Sequence, residues 1–138
     1  MTQKAVQELL ESTRDPAYSV DEEGLLSGWN DAAERFLGYP REEVVGRPCC
    51  DILRGRDVFG NPYCKSDCPL LVMARERRPV RHFQMEVYGK DEVAKRVLCQ
   101  ALMIPGSTVA SLAILHLLRP LDRPLSPWPP GGRPAAPP

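Results

Sequence analysis

The residues most able to do chemistry in this chain are its cysteines. Cys49, Cys50, Cys64 and Cys68 fall within one short, loop-rich segment, and Cys99 stands apart. The Cys64-x-x-x-Cys68 spacing lets two thiolates meet one ion across the entry to a helix. Cys49 or Cys50 can return from the preceding turn as a third ligand, and His82, on the strand that follows, can be a fourth. Three sulfurs and one imidazole would make a structural zinc site that pins a loop with little core of its own. Cys64 and Cys68 are also a pair that oxidation could join in a redox switch. Against both stands the ordinary use of cysteine as a small buried residue. The paired Cys-x-x-Cys knuckles common in zinc modules are missing. Cys99, among Val97, Leu98 and Ala101, reads as a core or pocket-lining residue.

Other reactive patterns are absent. Neither phosphate-binding glycine loop, GxxxxGK or GxGxxG, occurs, and no Gly-x-Ser-x-Gly elbow is present. Asp and Glu are scattered over turns and helix starts, where capping and solvation account for them. The reading assigns no catalytic residue and expects no enzyme.

The elements that must position these residues follow from punctuation and periodicity. Thr2 can cap a helix to about Thr13, with Val6, Leu9 and Leu10 on one face. That face would pack on its own domain or on a second copy of the chain. Asp15-Pro16 ends the helix. Ala17–Val20 and Leu25–Trp29 read as strands joined by the turn Asp21-Glu22-Glu23-Gly24. Asn30 or Asp31 caps a helix that Gly38 stops, with Ala33, Phe36 and Leu37 inward. Pro40 opens a short helix with Val44 and Val45 inward, and Cys49–Leu53 makes one more turn. A loop to Tyr63 and a helix after Cys68-Pro69 follow. Three strands close the domain: Val80–Val87, Val93–Ile104 and Val109–Leu118. The last two are apolar enough to lie centrally. Two strands, several short helices and three strands predict an α+β fold with a five-stranded antiparallel sheet and an N-terminal helix. The expected boundaries are residues 1–15 for that helix, 16–119 for the domain and 120–138 for a Pro-rich tail or linker, which has eight prolines between Arg119 and Pro138.

These residues carry a resemblance. Tyr18-Ser19-Val20-Asp21-Glu22-Glu23-Gly24, then Trp29-Asn30-Asp31-Ala32-Ala33-Glu34-Arg35-Phe36-Leu37-Gly38-Tyr39 and Arg41-Glu42-Glu43-Val44-Val45-Gly46-Arg47-Pro48, resemble the opening of a PAS domain. Gly46-Arg47-Pro48-Cys49, Gly55-Arg56-Asp57, Gly60-Asn61, Cys64 and Cys68-Pro69-Leu70 resemble a cysteine-bearing PAS subgroup that precedes LuxR-type regulators in bacteria. The resemblance implies a sensory or interaction module in signal transduction or transcription regulation. It implies a small ligand cavity, here lined by Trp29, Phe36, Leu53, Met85 and Cys99. It also implies a homodimer and an output domain or partner, and it admits an iron–sulfur cluster at the cysteines beside the zinc and redox readings. A dimerisation unit stapled by a cysteine-bound metal, with no ligand, is the alternative. The segment Gly46–Cys49 is also similar to flavin-binding light sensors, but Pro48 and Cys50 stand where those place Asn and Arg, which argues against flavin. Haem needs an axial histidine. His82 and His116 both lie on predicted strands, where a histidine is ordinarily hydrogen-bonded within the sheet.

Bulk properties agree with such a module. Lys plus Arg and Asp plus Glu are 18 each, so the net charge is zero, and no basic face for nucleic acid or an anionic membrane is expected. No apolar run reaches the roughly 18 residues that a membrane span needs, and the N-terminus is amphipathic rather than a signal sequence. The expected location is the cytoplasm.

Overall fold

The computed structural model describes residues 3–57, 59–62, 72–73, 76, 78–79, 82–105 and 112–121. Its elements are α1 (Gln3–Leu10), β1 (Ala17–Val20), β2 (Leu26–Trp29), α2 (Asp31–Leu37), α3 (Arg41–Val44), α4 (Cys49–Leu53), β3 (Phe83–Tyr88), β4 (Ala94–Pro105) and β5 (Leu112–Pro120). The Pro-rich stretch after Leu121, and most of the segment holding Cys64 and Cys68, lie outside the described residues.

The sheet is antiparallel throughout, in the order β2-β1-β5-β4-β3. The two most apolar strands, β4 and β5, are interior, as expected. The β1–β2 turn is closed by Asp21, whose carboxylate accepts from the backbone N–H groups of Glu23 and Leu25. Gly24, at φ 84°, supplies the left-handed residue that the turn requires.

Strand alternation separates two faces. Tyr18, Val20, Trp29, Phe83, Met85, Val87, Val97, Cys99 and Leu118 turn to the inner face, and Ala33, Leu37, Val44, Ile52 and Leu53 of α2–α4 pack over them as one core cluster. Each Val, Leu, Ile, Phe or Met among them contributes on the order of 1.5–3 kcal/mol when fully buried. Ala17 and Leu115 turn to the outer face, where Val6 and Leu10 of α1 cover them. The N-terminal helix therefore packs on its own domain. Leu9, expected on the same apolar face, points away and is 43% exposed, because Val6 and Leu10 form the i, i+4 stripe that meets the sheet. The helix also stops at Leu10 rather than Thr13. Ser12 and Thr13 bond with their side chains to nearby backbone groups, which competes with continued helix.

Gly28 is where α1 comes closest. A Cβ there would lie 2.6 Å from both Leu10 Cδ1 and Ser19 Oγ, so any larger residue would force those side chains aside where the helix seats. A polar stripe completes the docking. Gln3 donates to the Ser27 carbonyl at 2.8 Å. Gln7 donates to the Trp29 carbonyl at 2.9 Å and accepts from the Trp29 N–H at 3.1 Å. Glu11 accepts from the Asp31 N–H at 2.9 Å.

Helix α2 begins at the expected cap, Asn30, and ends at Gly38 in the left-handed conformation, φ 81°. In α3 only Val44 is buried. Val45, expected inward with it, is the extended C-cap residue and is half-buried, since the backbone leaves helical geometry there. Arg54 ends α4 in the left-handed region, and its guanidinium pairs at 2.8 Å with Glu92, the second non-glycine residue at positive φ.

Candidate functional site

The inner face of the sheet is the place where the fold gathers the expected pocket residues. Trp29 from β2, Leu53 from α4, Met85 from β3 and Cys99 from β4 are buried in one cluster, and Phe36 of α2 packs against it half-buried. Trp29 is oriented by its ring N–H, which donates to the Tyr39 carbonyl at 3.0 Å. Phe83 and Cys99 sit opposite each other in the β3–β4 register, as do Met85 and Val97. The floor of the site is thus apolar, aromatic on one side and sulfur-bearing on the other.

The same face is less well filled toward the far end of β4. Val97 and Cys99 are fully buried, while Ala101 and Met103, next along that face, remain half-buried. Ala101 pairs with His116 of β5. His116 in turn pairs with Tyr18 of β1, and the two rings stack 4.6 Å apart at an interplanar angle of 7°. Tyr18 leans on Trp29 beyond it, with centroids 5.8 Å apart. The imidazole is almost fully buried, and its Nδ1 makes no hydrogen bond. Burial pulls its pKa from 6.5 down to about 4, and a backbone hydrogen bond with Ile114 offsets only part of that shift. The ring is therefore neutral at neutral pH. The expectation of a hydrogen-bonded sheet histidine is met only in part: the Ile114 backbone interacts with the ring, and Nδ1 is unpaired. The strand alternation was the available signal, since His116 shares the parity of Ile114 and Leu118, both inward and buried.

Asn30 is the opposite case, a buried polar side chain with every partner in place. Its Oδ1 accepts from the N–H groups of Ala17 at 3.0 Å and Ala33 at 2.9 Å. Its Nδ2 donates to the carbonyls of Leu10 at 2.8 Å and Asp15 at 3.0 Å. One amide thereby ties the end of α1, the start of β1 and the start of α2. Capping explains its bond to Ala33, and the other three depend on contacts that the local sequence does not specify.

The cysteines divide. Cys49 and Cys50 are half-buried on α4, with Cys49 packed against the core cluster, and Cys99 is wholly buried in that cluster. His82, expected on the strand, is exposed and lies just before β3 begins at Phe83. Cys64 and Cys68, on which the metal and redox readings both turn, lie outside the described residues. Among the described residues no group of three His, Cys, Asp or Glu side chains is placed to hold a metal ion, and no helix is long and apolar enough to cross a membrane.

Comparison with known proteins agrees with this geometry. Over 50 residues the chain is 37% identical to a phytochrome of Picea abies, a stretch that makes up 36% of this chain and 4% of that protein. The backbone is similar to the LOV protein of Rhodobacter sphaeroides, with a TM-score of 0.69 at 16% identity, covering 89% of this chain and 70% of that one. It is also similar to a PAS domain from a two-component sensor histidine kinase, with a TM-score of 0.62 at 13% identity, covering 86% of this chain and 95% of that one. At these identities the structural likeness speaks to the fold. The family model of the PAS fold matches residues 4–87. The strand order, the helices over the inner face and this match together establish that the chain belongs to the PAS family.

Proposed function

We propose that this chain is a sensory PAS module that binds a small molecule on the inner face of its sheet and passes the change to a partner or output domain through α1 and β5. The observation that carries it is the contrast along β4: Val97 and Cys99 are sealed under α2–α4, while Ala101 and Met103 on the same face keep open surface. A mainly apolar lining with a few placed polar groups is the usual setting for small-molecule recognition. The route outward is short. β5 carries inner-face residues His116 and Leu118 and outer-face residue Leu115, which lies under α1. Asn30 holds α1 and α2 with one side chain. A ligand that prefers one arrangement of these contacts shifts the population of the other.

A fragment library screened by thermal shift on the full chain, followed by hydrogen exchange on the hits, tests this reading. Hits are expected to protect β4 and β5 and to change exchange in α1. A library without hits, or hits that leave those amides unchanged, would overturn the sensory reading.

The half-buried Cys49, at the border of the core cluster, and its half-buried neighbour Cys50 keep a second reading in view. In it, Cys49, Cys64, Cys68 and His82 hold a metal that staples a dimerisation domain. Elemental analysis with an absorption spectrum, on protein purified without oxygen, separates the cases. One zinc per chain and no visible band supports the staple, iron with a band near 400 nm supports a cluster, and no metal removes both.

A further inference from the structure

Among the described residues, buried side-chain polar groups are paired almost everywhere. Asn30 makes four side-chain hydrogen bonds, and Ser19 Oγ meets Ser27 Oγ at 2.8 Å. Among the described residues two buried side-chain nitrogens have no partner. One is Nη2 of Arg54, whose Nη1 is engaged by Glu92 at the surface. The other is Nδ1 of His116, in the middle of the sheet. An unpaired buried donor or acceptor is destabilising, and this one lies beside the half-buried Ala101, with which His116 pairs, and Met103 further along the same face.

We propose that His116 is the hydrogen-bonding anchor for a small uncharged aromatic molecule that carries a hydroxyl, a phenol being the simplest member of the class, bound at this end of the inner face. The proposal rests on the reading of that face as a ligand site. Three features set the ligand's chemistry. First, the imidazole is neutral and no charged side chain contributes to its shift, so a charged ligand would be buried without a counter-ion. Second, the wall beside the anchor is aromatic, formed by the Tyr18–His116 stack with Trp29 behind it, and a flat ring packs there edge-on or offset. Third, a neutral imidazole is a donor at one nitrogen and an acceptor at the other. A hydroxyl satisfies Nδ1 in either tautomer, whereas a carbonyl or an amine satisfies only one. Ala101, which pairs with His116 across β4 and β5, brings only a methyl group to that position.

Phenol and toluene test this directly on the full chain, labelled at methionine methyls and at histidine nitrogens. The two rings are alike in size, and toluene is the more hydrophobic, so a preference for phenol cannot come from apolar transfer. The expected result is saturable movement of the Met103 methyl by both, binding of phenol at least tenfold tighter, and a shift of the His116 nitrogens by phenol alone. His116→Phe should abolish the preference, and His116→Gln, which keeps a hydrogen-bonding amide, should retain part of it. Equal binding of the two probes, or a preference that survives in His116→Phe, overturns the anchor. An ordered water already pairing Nδ1 would give that equal binding. If both probes move Met103 and the His116 nitrogens stay still, the anchor fails and the ligand site stands. If neither moves Met103, both fail. Should His116→Phe not fold, the His116 nitrogen shifts in the unmutated chain decide alone.

Discussion

Replacing His116 by Phe should change how the stability of this domain depends on pH, and the structure sets the sign and size. In the unfolded chain the imidazole takes up a proton near pH 6.5, and in the folded chain not until about pH 4. Between those values the unfolded state binds more protons, so acid favours unfolding. The contribution is fully present above pH 6.5, declines as the pH falls and is exhausted near pH 4. One pKa unit corresponds to about 1.4 kcal/mol, so the whole loss is roughly 3 kcal/mol. His116→Phe has nothing to titrate and lacks this slope. It also removes the unpaired Nδ1 and keeps a ring to stack on Tyr18, so at pH 7.5 it should be more stable by about 1 kcal/mol. Urea denaturation of both proteins from pH 7.5 to 4 measures the difference, in which the titration of carboxylates common to both cancels. The curves should diverge progressively below pH 6.5, with the variant above. Parallel curves would mean that His116 titrates as if in water, and the buried, unpaired ring would be refuted.

Two further outcomes follow from residues on the α1 side. Asn30→Ala strands the Leu10 and Asp15 carbonyls and the Ala17 and Ala33 N–H groups, and should cost about 3–5 kcal/mol in a urea titration; a loss below about 1 kcal/mol would show that water replaces the amide. Gly28→Ala drives a methyl into Leu10 and Ser19 and should cost about 1–3 kcal/mol, with faster hydrogen exchange in α1 than in β4; uniform acceleration would contradict a displaced helix.

Much of this architecture was readable from local signals, because local chemistry sets it. The Asp21–Gly24 turn, the Asn30 cap, the Gly38 stop and the alternation of Phe83–Val87 each depend on residues within a few positions of one another. What escaped depends on contacts between distant residues. The reach of Asn30 to Leu10 spans 20 residues, and that of Gln7 to Trp29 spans 22. Leu9 turns outward because Val6 and Leu10 make the i, i+4 stripe that meets the sheet, a choice that the adjacent apolar pair Leu9-Leu10 left open. The five residues expected to line a pocket were legible as large or soft apolar side chains, and the structure places them in or against the inner-face core cluster, whereas His116 was read only as a hydrogen-bonded strand residue. Nothing in its neighbours along the chain says that Nδ1 finds no partner.

The glutamine stripe of α1 has a consequence for association. β2 is an outer strand, and such a strand is a template for another chain unless its hydrogen-bonding groups are occupied. Here Leu26 is engaged by Gly46 and Arg47, Ser27 by Gln3 and Trp29 by Gln7. The helix therefore acts as a competitive inhibitor of strand addition, borne on the same polypeptide. Any incoming strand must first displace it, and conditions that loosen α1 must raise affinity for such a strand by the same factor. A chain lacking residues 1–13 should then self-associate at concentrations where the intact one does not, as light scattering would show. Equal scattering from both would mean that β2 is guarded by Gly46–Pro48 alone.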